Sequence, residues 1–231
     1  MIWRAEKQCF QLQHYRGFHQ LFGSCWIDTI VYMLIRDSEL KNYVMQSMRK
    51  HKNSEHQEFI DAFIAYSEGF EQNANEKKGE LLRKMHSAIR NLHSIEMDAR
   101  GYGDFHALIY FICKIVNILT PETPAHDSSS ALYELIWSYD GLENTSSEFV
   151  TMSIDVLHRG FDPHVIGLYK IDGGIELYDN QSFMYKNVLS SDASYITIRN
   201  SDTDKITEIL SRLELTSEFQ TLKIRKITKT T

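Results

Sequence analysis

The chain has 231 residues, 42% hydrophobic and 24% charged, with 31 acidic against 25 basic side chains and a formal net charge of −6. That length can bury one good core or two lobes of one domain, and the composition is that of an ordinary globular protein. An acidic balance with a pI near 5.9 leaves no broad basic surface, which argues against general nucleic-acid binding.

At the N-terminus, Arg4, Glu6 and Lys7 interrupt the chain before any apolar run long enough for a signal peptide. The apolar run from Trp26 to Ile35 predicts a first helix that opens at Cys25, and Ser38 is placed to cap a second helix reaching toward Lys50. Between Glu55 and Phe70, the residues Phe59, Ala62, Phe63 and Tyr66 recur at the spacing of one helix face. Gly69 to Gly79 reads as a polar interruption. Glu80 to Ile95 then carries Leu81, Leu82, Met85, Ala88, Ile89, Leu92 and Ile95 on one stripe. The segment Gly101-Tyr-Gly-Asp104 breaks the chain and caps an apolar helix from Phe105 to near Leu119, which is too short to span a bilayer.

Thr120 to Ser130 holds two of the three prolines and marks a boundary between lobes. Beyond it, strands are predicted at Glu148–Leu157, His164–Lys170, Ile175–Asp179, Tyr195–Arg199 and Phe219–Ile227, with a short helix at Asp204–Leu213. Lys223, Arg225, Lys226 and Lys229 form a modest basic tail, read as a solvated strand edge. No repeat or low-complexity tract interrupts this helical-then-strand order, which predicts an α+β architecture.

Two constellations carry chemistry. In Gln20-Leu-Phe-Gly-Ser-Cys-Trp-Ile27 a cysteine follows a small-residue turn and opens a helix. A thiol so placed faces the unpaired N–H groups and the positive end of the macrodipole, which favour the nucleophilic thiolate. Gln20, five residues upstream of Cys25, can swing its amide to donate to a developing oxyanion. The plainer reading of Cys25 is a buried core cysteine.

The second constellation is a hairpin in which His164–Lys170 and Ile175–Asp179 flank a turn rich in Asp and Gly. Burying Ile175 and Leu177 carries Asp179 inward and Asn180 outward. With an even-length connection, His164, Ile166 and Leu168 share the face of Asp179, so His164 and Asp179 become opposite or diagonal neighbours. An acid there fixes the tautomer of the imidazole and stabilises its charged form. An odd loop or a bulge would favour Asn180 instead.

Gly23-Ser24-Cys25-Trp26 resembles the box around the nucleophile of papain and the cathepsins, and the order Cys, His, Asp/Asn is that of the papain-like superfamily. The resemblance implies Cys25 as nucleophile, His164 as general base, Asp179 or Asn180 as orienting residue and Gln20 as oxyanion donor. The chain departs from papain itself: the glutamine stands one residue closer to the cysteine, and Phe22 stands where papain-type enzymes have a disulfide-forming cysteine. The Gln20–Cys25 spacing, with the hairpin His-Val-Ile-Gly-Leu-Tyr…Ile-Glu-Leu-Tyr-Asp, is similar to deubiquitinases such as Josephin domains and ubiquitin-specific proteases.

The expectation is therefore a single papain-like domain over 1–231. A helical lobe (1–120) would carry the nucleophile and a β-rich lobe (121–231) the His and Asp, with the cleft between them. The expected activity is a cysteine peptidase acting on amide or isopeptide bonds of ubiquitin or ubiquitin-like conjugates. The alternatives are a papain-like endopeptidase, an amidase- or transglutaminase-like acyl transferase acting as an effector, and a non-catalytic scaffold. Papain-like chemistry needs no cofactor. His86, His93, His106 and Cys113 lack the tight pair spacing of a metal site. Three cysteines, at 9, 25 and 113, are not a disulfide framework and favour a reducing compartment. With Cys25 so near the start, the chain reads as beginning at a mature catalytic domain that works in the cytoplasm. The wealth of Ile, Asn, Lys and Tyr is compatible with a viral or parasite genome.

Overall fold

The computed structural model describes residues 10–11, 18, 21, 23–51, 55–121, 130–138, 149–156, 164–171, 174–180, 195–199 and 219–228. At 10–11, 154–156, 164, 171, 174–175, 195–199 and 219–220 it describes the backbone alone. The architecture is α+β with the helices mostly N-terminal. The helices are α1 (Cys25–Ile35), α2 (Ser38–Lys50), α3 (Gln57–Glu71), α4 (Lys78–Asn91) and α5 (Phe105–Val116). The strands are β1 (Phe10–Gln11), β2 (Tyr133–Ser138), β3 (Thr151–Val156), β4 (His164–Ile171), β5 (Gly174–Tyr178), β6 (Tyr195–Arg199) and β7 (Phe219–Lys226). They form one sheet in the order β1-β6-β5-β4-β3-β7-β2, with every pairing antiparallel.

Helix α1 is the centre of the molecule. All eleven of its residues are buried, as expected of a helix that is apolar on every side. It lies on β3 and β4 with one face and against α2, α3 and α5 with the others. One hydrophobic cluster therefore runs from the helices into the sheet through Tyr133, Leu135, Val165, Tyr178, Leu222 and Ile224. The approach of α1 to β4 is close because position 167 is glycine. A Cβ there would sit 2.5 Å from the Tyr32 ring. That ring stacks on Tyr178 at 4.8 Å between centroids, and its hydroxyl donates to Glu176 Oε1 at 3.0 Å.

The helical expectations hold with shifted ends. Asp37, not Ser38, caps α2: its carboxylate accepts from the Leu40 N–H at 2.8 Å, and Ser38 is the first helical residue. Phe59, Ala62, Phe63 and Tyr66 are buried on α3 as the spacing predicts. The polar interruption is shorter than expected. Helix α3 runs through Gly69 to Glu71, and a 3-10 turn at Asn75–Lys77 delivers the chain into α4 at Lys78. Asp104 caps α5 by accepting from the Ala107 N–H, and Asn117 in the left-handed region ends that helix, earlier than Leu119.

Strands β3 to β7 fall where the alternation predicts, with edges differing by a few residues. Strands β1 and β2 were not expected; Tyr133, Leu135 and Trp137 do alternate, and β2 pairs with β7 at one edge of the sheet. The helix expected at Asp204–Leu213 lies outside the described residues, as does most of the expected lobe boundary. Among the described residues no helix is long and apolar enough to cross a membrane.

Candidate functional site

Cys25 is the first residue of α1, reached through a turn that depends on Gly23. Gly23 has a φ of +65°, and a Cβ on it would meet the Tyr102 ring at 2.9 Å; both facts require glycine there. Ser24 N–H closes the turn by donating to Leu21 O, and Trp26 Nε1 donates to Gly101 O at 2.9 Å. The segment 101–103 is thus held against the residues flanking the thiol. Cys25 itself is 2% exposed.

His164 is the first residue of β4, paired through its backbone with Val156. Its side chain lies outside the described residues, and so does Gln20 entirely. The connection between β4 and β5 has the even length on which the expected His–Asp pairing depends, because Ile171 pairs with Gly174. Carried one step beyond the ladder, that register sets Asp179 beside Ile166, a diagonal neighbour of position 164.

Two contacts fix how α1 and β4 are aligned. Thr29 Oγ1 donates to Val165 O at 2.9 Å, and Tyr32 covers Gly167, so helix and strand run in the same direction. Cys25 lies one helical turn before Thr29, about 6 Å back along the axis. One strand residue covers about 3.3 Å, so the start of β4 at His164 lies within about 3 Å of the level of Cys25 along the axis. Val165 and Gly167 meet α1, and alternation gives position 164 to the opposite face of the strand.

Asp179 and Asn180 are both buried. The outward placement expected of Asn180 is therefore corrected. Strand β5 is buried on both faces, Leu177 on one and Glu176 and Tyr178 on the other, so alternation alone does not separate inside from outside. Asn180 follows Tyr178 on the side of α1, and its Nδ2 donates to Asp28 Oδ2 at 2.6 Å.

Asp28 is the hub of the site. Its carboxylate, fully buried, accepts from four donors on four segments: Ser24 Oγ at 2.8 Å, Tyr66 OH at 2.6 Å, Lys78 Nζ at 2.7 Å and Asn180 Nδ2 at 2.6 Å. Lys78 Nζ also donates to Ser24 Oγ at 2.8 Å, and its ammonium lies 5.2 Å from the centre of the Phe18 ring. Burial pushes the Lys78 ammonium below the usual lysine range, while Asp28 and then Cys25 pull it back up. Burial, then the charge of Asp28, holds the Tyr66 hydroxyl well above its usual range, so it stays a donor. Neighbouring His86 is pushed down to about 4, chiefly by burial, and is neutral near pH 7.

Sequence reasoning gives Asp28 at most a place in the first turn of the helix and no catalytic role, reads Tyr66 only as part of a buried helix face, and does not find Lys78. Lys78 stands fifty positions from Asp28 in the chain, and no local pattern links them. The only available sign was a lone acid inside an apolar helix, which requires a buried partner. Among the described residues no group of three His, Cys, Asp or Glu side chains is arranged to hold a metal. No protein-family model matches the chain, and no curated protein matches it.

Proposed function

We propose that this protein is a cysteine peptidase with a papain-like arrangement, acting on amide or isopeptide bonds of ubiquitin or ubiquitin-like conjugates in a reducing compartment, the cytoplasm. The observation that carries the reading is the packing of α1 on β4 through Thr29 and Val165, with a cysteine opening the helix within about 3 Å, along the axis, of the start of the strand at His164. In this reading His164 takes the proton of Cys25, and the thiolate attacks the scissile carbonyl. Gln20 and the Cys25 N–H donate to the oxyanion. His164 then protonates the leaving amine, and water hydrolyses the thioester. Asp179, or Asn180 on the side of α1, orients the imidazole.

One observation favours a second reading, a non-catalytic papain-like scaffold that binds a partner: Cys25 is 2% exposed, whereas reactive cysteines are generally partly accessible. Incubation with C-terminally electrophilic ubiquitin-like probes separates the two, since labelling at Cys25 reports nucleophile and modifier together. A ubiquitin-like C-terminal amide is expected to be cleaved at least about a hundredfold more efficiently than a short peptide with the same Arg-Leu-Arg-Gly-Gly ending, roughly 2.7 kcal/mol of transition-state stabilisation drawn from remote contacts. Efficient turnover of generic peptides with indifference to the modifier would favour an endopeptidase. Silence on both, with Cys25 alkylatable, would favour an acyl transferase or a scaffold.

The two residues after β5 are expected to separate by readout. Asp179→Ala should lower turnover at least about tenfold, the low end for losing an orienting group. Asn180→Ala should act mainly on stability, by about 1.5–3 kcal/mol, because it removes a hydrogen bond to a buried charge. Turnover rates and thermal melts of both variants check this. A larger kinetic loss in Asn180→Ala would move the orienting role by one residue.

A further inference from the structure

We propose that Lys78 and Asp28 are a pair of positioning residues that set the charge felt by Cys25, Lys78 favouring the thiolate and Asp28 opposing it. The proposal rests on the reading of Cys25 as the nucleophile.

The geometry places both charges within one helical turn of the sulfur-bearing residue. Lys78 Nζ binds the hydroxyl of Ser24, the residue before Cys25, and Asp28 is three residues after it, on the same side of α1. Lys78 is 3% exposed along its side chain and Asp28 not at all. Stability alone gives little reason for such a pair, because well-packed apolar residues of similar volume are often as good or better in a buried site. What an apolar pair cannot supply is a fixed cation beside the start of α1.

The two charges also depend on each other. Burial drives the Lys78 ammonium toward its neutral form, and the nearby carboxylate opposes that drive. Asp28 in turn has its negative charge shared among three further donors, Ser24, Tyr66 and Asn180, which weakens its opposition to a thiolate. The other titratable groups on this side are Tyr66 from α3, held protonated, and His86 from α4, held neutral. Asp179 from the end of β5 is buried alongside Asn180, and His164 opens β4. Lys78 is thus the cation that the described side chains contribute to the first turn of α1.

The test is the pH dependence of Cys25 alkylation by iodoacetamide, followed by mass spectrometry on the full chain. It compares wild type, Lys78→Met, Asp28→Asn and the double variant. The pH of half-maximal rate is expected to rise by at least about one unit in Lys78→Met and to fall in Asp28→Asn, with the double variant between them; one unit is a tenfold change in thiolate fraction. A purely structural role moves the two single variants in the same direction or neither, and that result overturns the proposal. Should Lys78→Met yield no folded protein, the double variant measured against Asp28→Asn isolates the lysine, and equal midpoints overturn the proposal equally. A wild-type Cys25 as inert as Cys113 would refute the nucleophile reading itself, and this inference with it.

Discussion

Alanine at Cys25 is expected to reduce hydrolysis of a ubiquitin-like amide by at least about ten-thousandfold, because the bond-forming atom is removed and only binding and oxyanion contacts remain. The fold should hardly respond. Cys25 is buried at the first position of α1, but it lies outside the contiguous hydrophobic cluster that joins the helices to the sheet. The loss of stability should be within about 1 kcal/mol, a fall in Tm of roughly 2–4 °C for a chain of this size. A thermal melt beside a single-turnover assay separates the two effects. A variant that keeps more than about one per cent of wild-type turnover would remove Cys25 from the chemistry, since no other group can replace a covalent nucleophile. Cys113 is no substitute: it is fully buried, and burial pushes its thiol far above the usual range.

How much of this arrangement was legible depended on whether its cause was local. The eleven residues of α1 are apolar apart from Asp28 and Thr29 and follow a glycine-serine turn, so the helix and the position of Cys25 at its start could be read directly. The β4–β5 hairpin was legible for the same reason, and its two-residue connection, positions 172 and 173 between Ile171 and Gly174, fixes a register that the alternation could only state conditionally. Asn180 was misplaced because alternation identifies an outer face only where one face meets water, and the described side chains of β5, Glu176, Leu177 and Tyr178, are buried on both faces. Strand β2 follows directly on the prolines and serines of 120–130, whose turn signals outweigh the alternation of its own residues. The hub around Asp28 was beyond sequence reading altogether. Its donors come from positions 24, 66, 78 and 180, and only the packing of α3, α4 and the end of β5 around α1 brings them together.

That same convergence makes Asp28 the residue whose loss should cost the fold most. Asp28→Ala leaves a lysine ammonium buried without its counter-charge, and at the same stroke deprives Ser24, Tyr66 and Asn180 of their shared acceptor. Breaking a buried pair from one side typically costs about 3–5 kcal/mol, a large fraction of the 5–15 kcal/mol or so that stabilises an ordinary domain. Asp28→Ala is therefore expected to melt at least about 6 °C lower than wild type, taking roughly 2–4 °C per kcal/mol for a chain of this length. Asp28→Asn keeps the shape and one acceptor oxygen but not the counter-charge, so it should lose less than Asp28→Ala and still melt clearly below wild type. Replacing both partners, Asp28→Leu with Lys78→Met, should recover part of what Asp28→Ala loses, because no unpaired charge is then left inside. Thermal or urea unfolding of the three proteins decides the matter. If Asp28→Ala melted within about 2 °C of wild type, less than 1 kcal/mol would be at stake, and the carboxylate would not be the fixed point that ties α1 to α3, α4 and the end of β5.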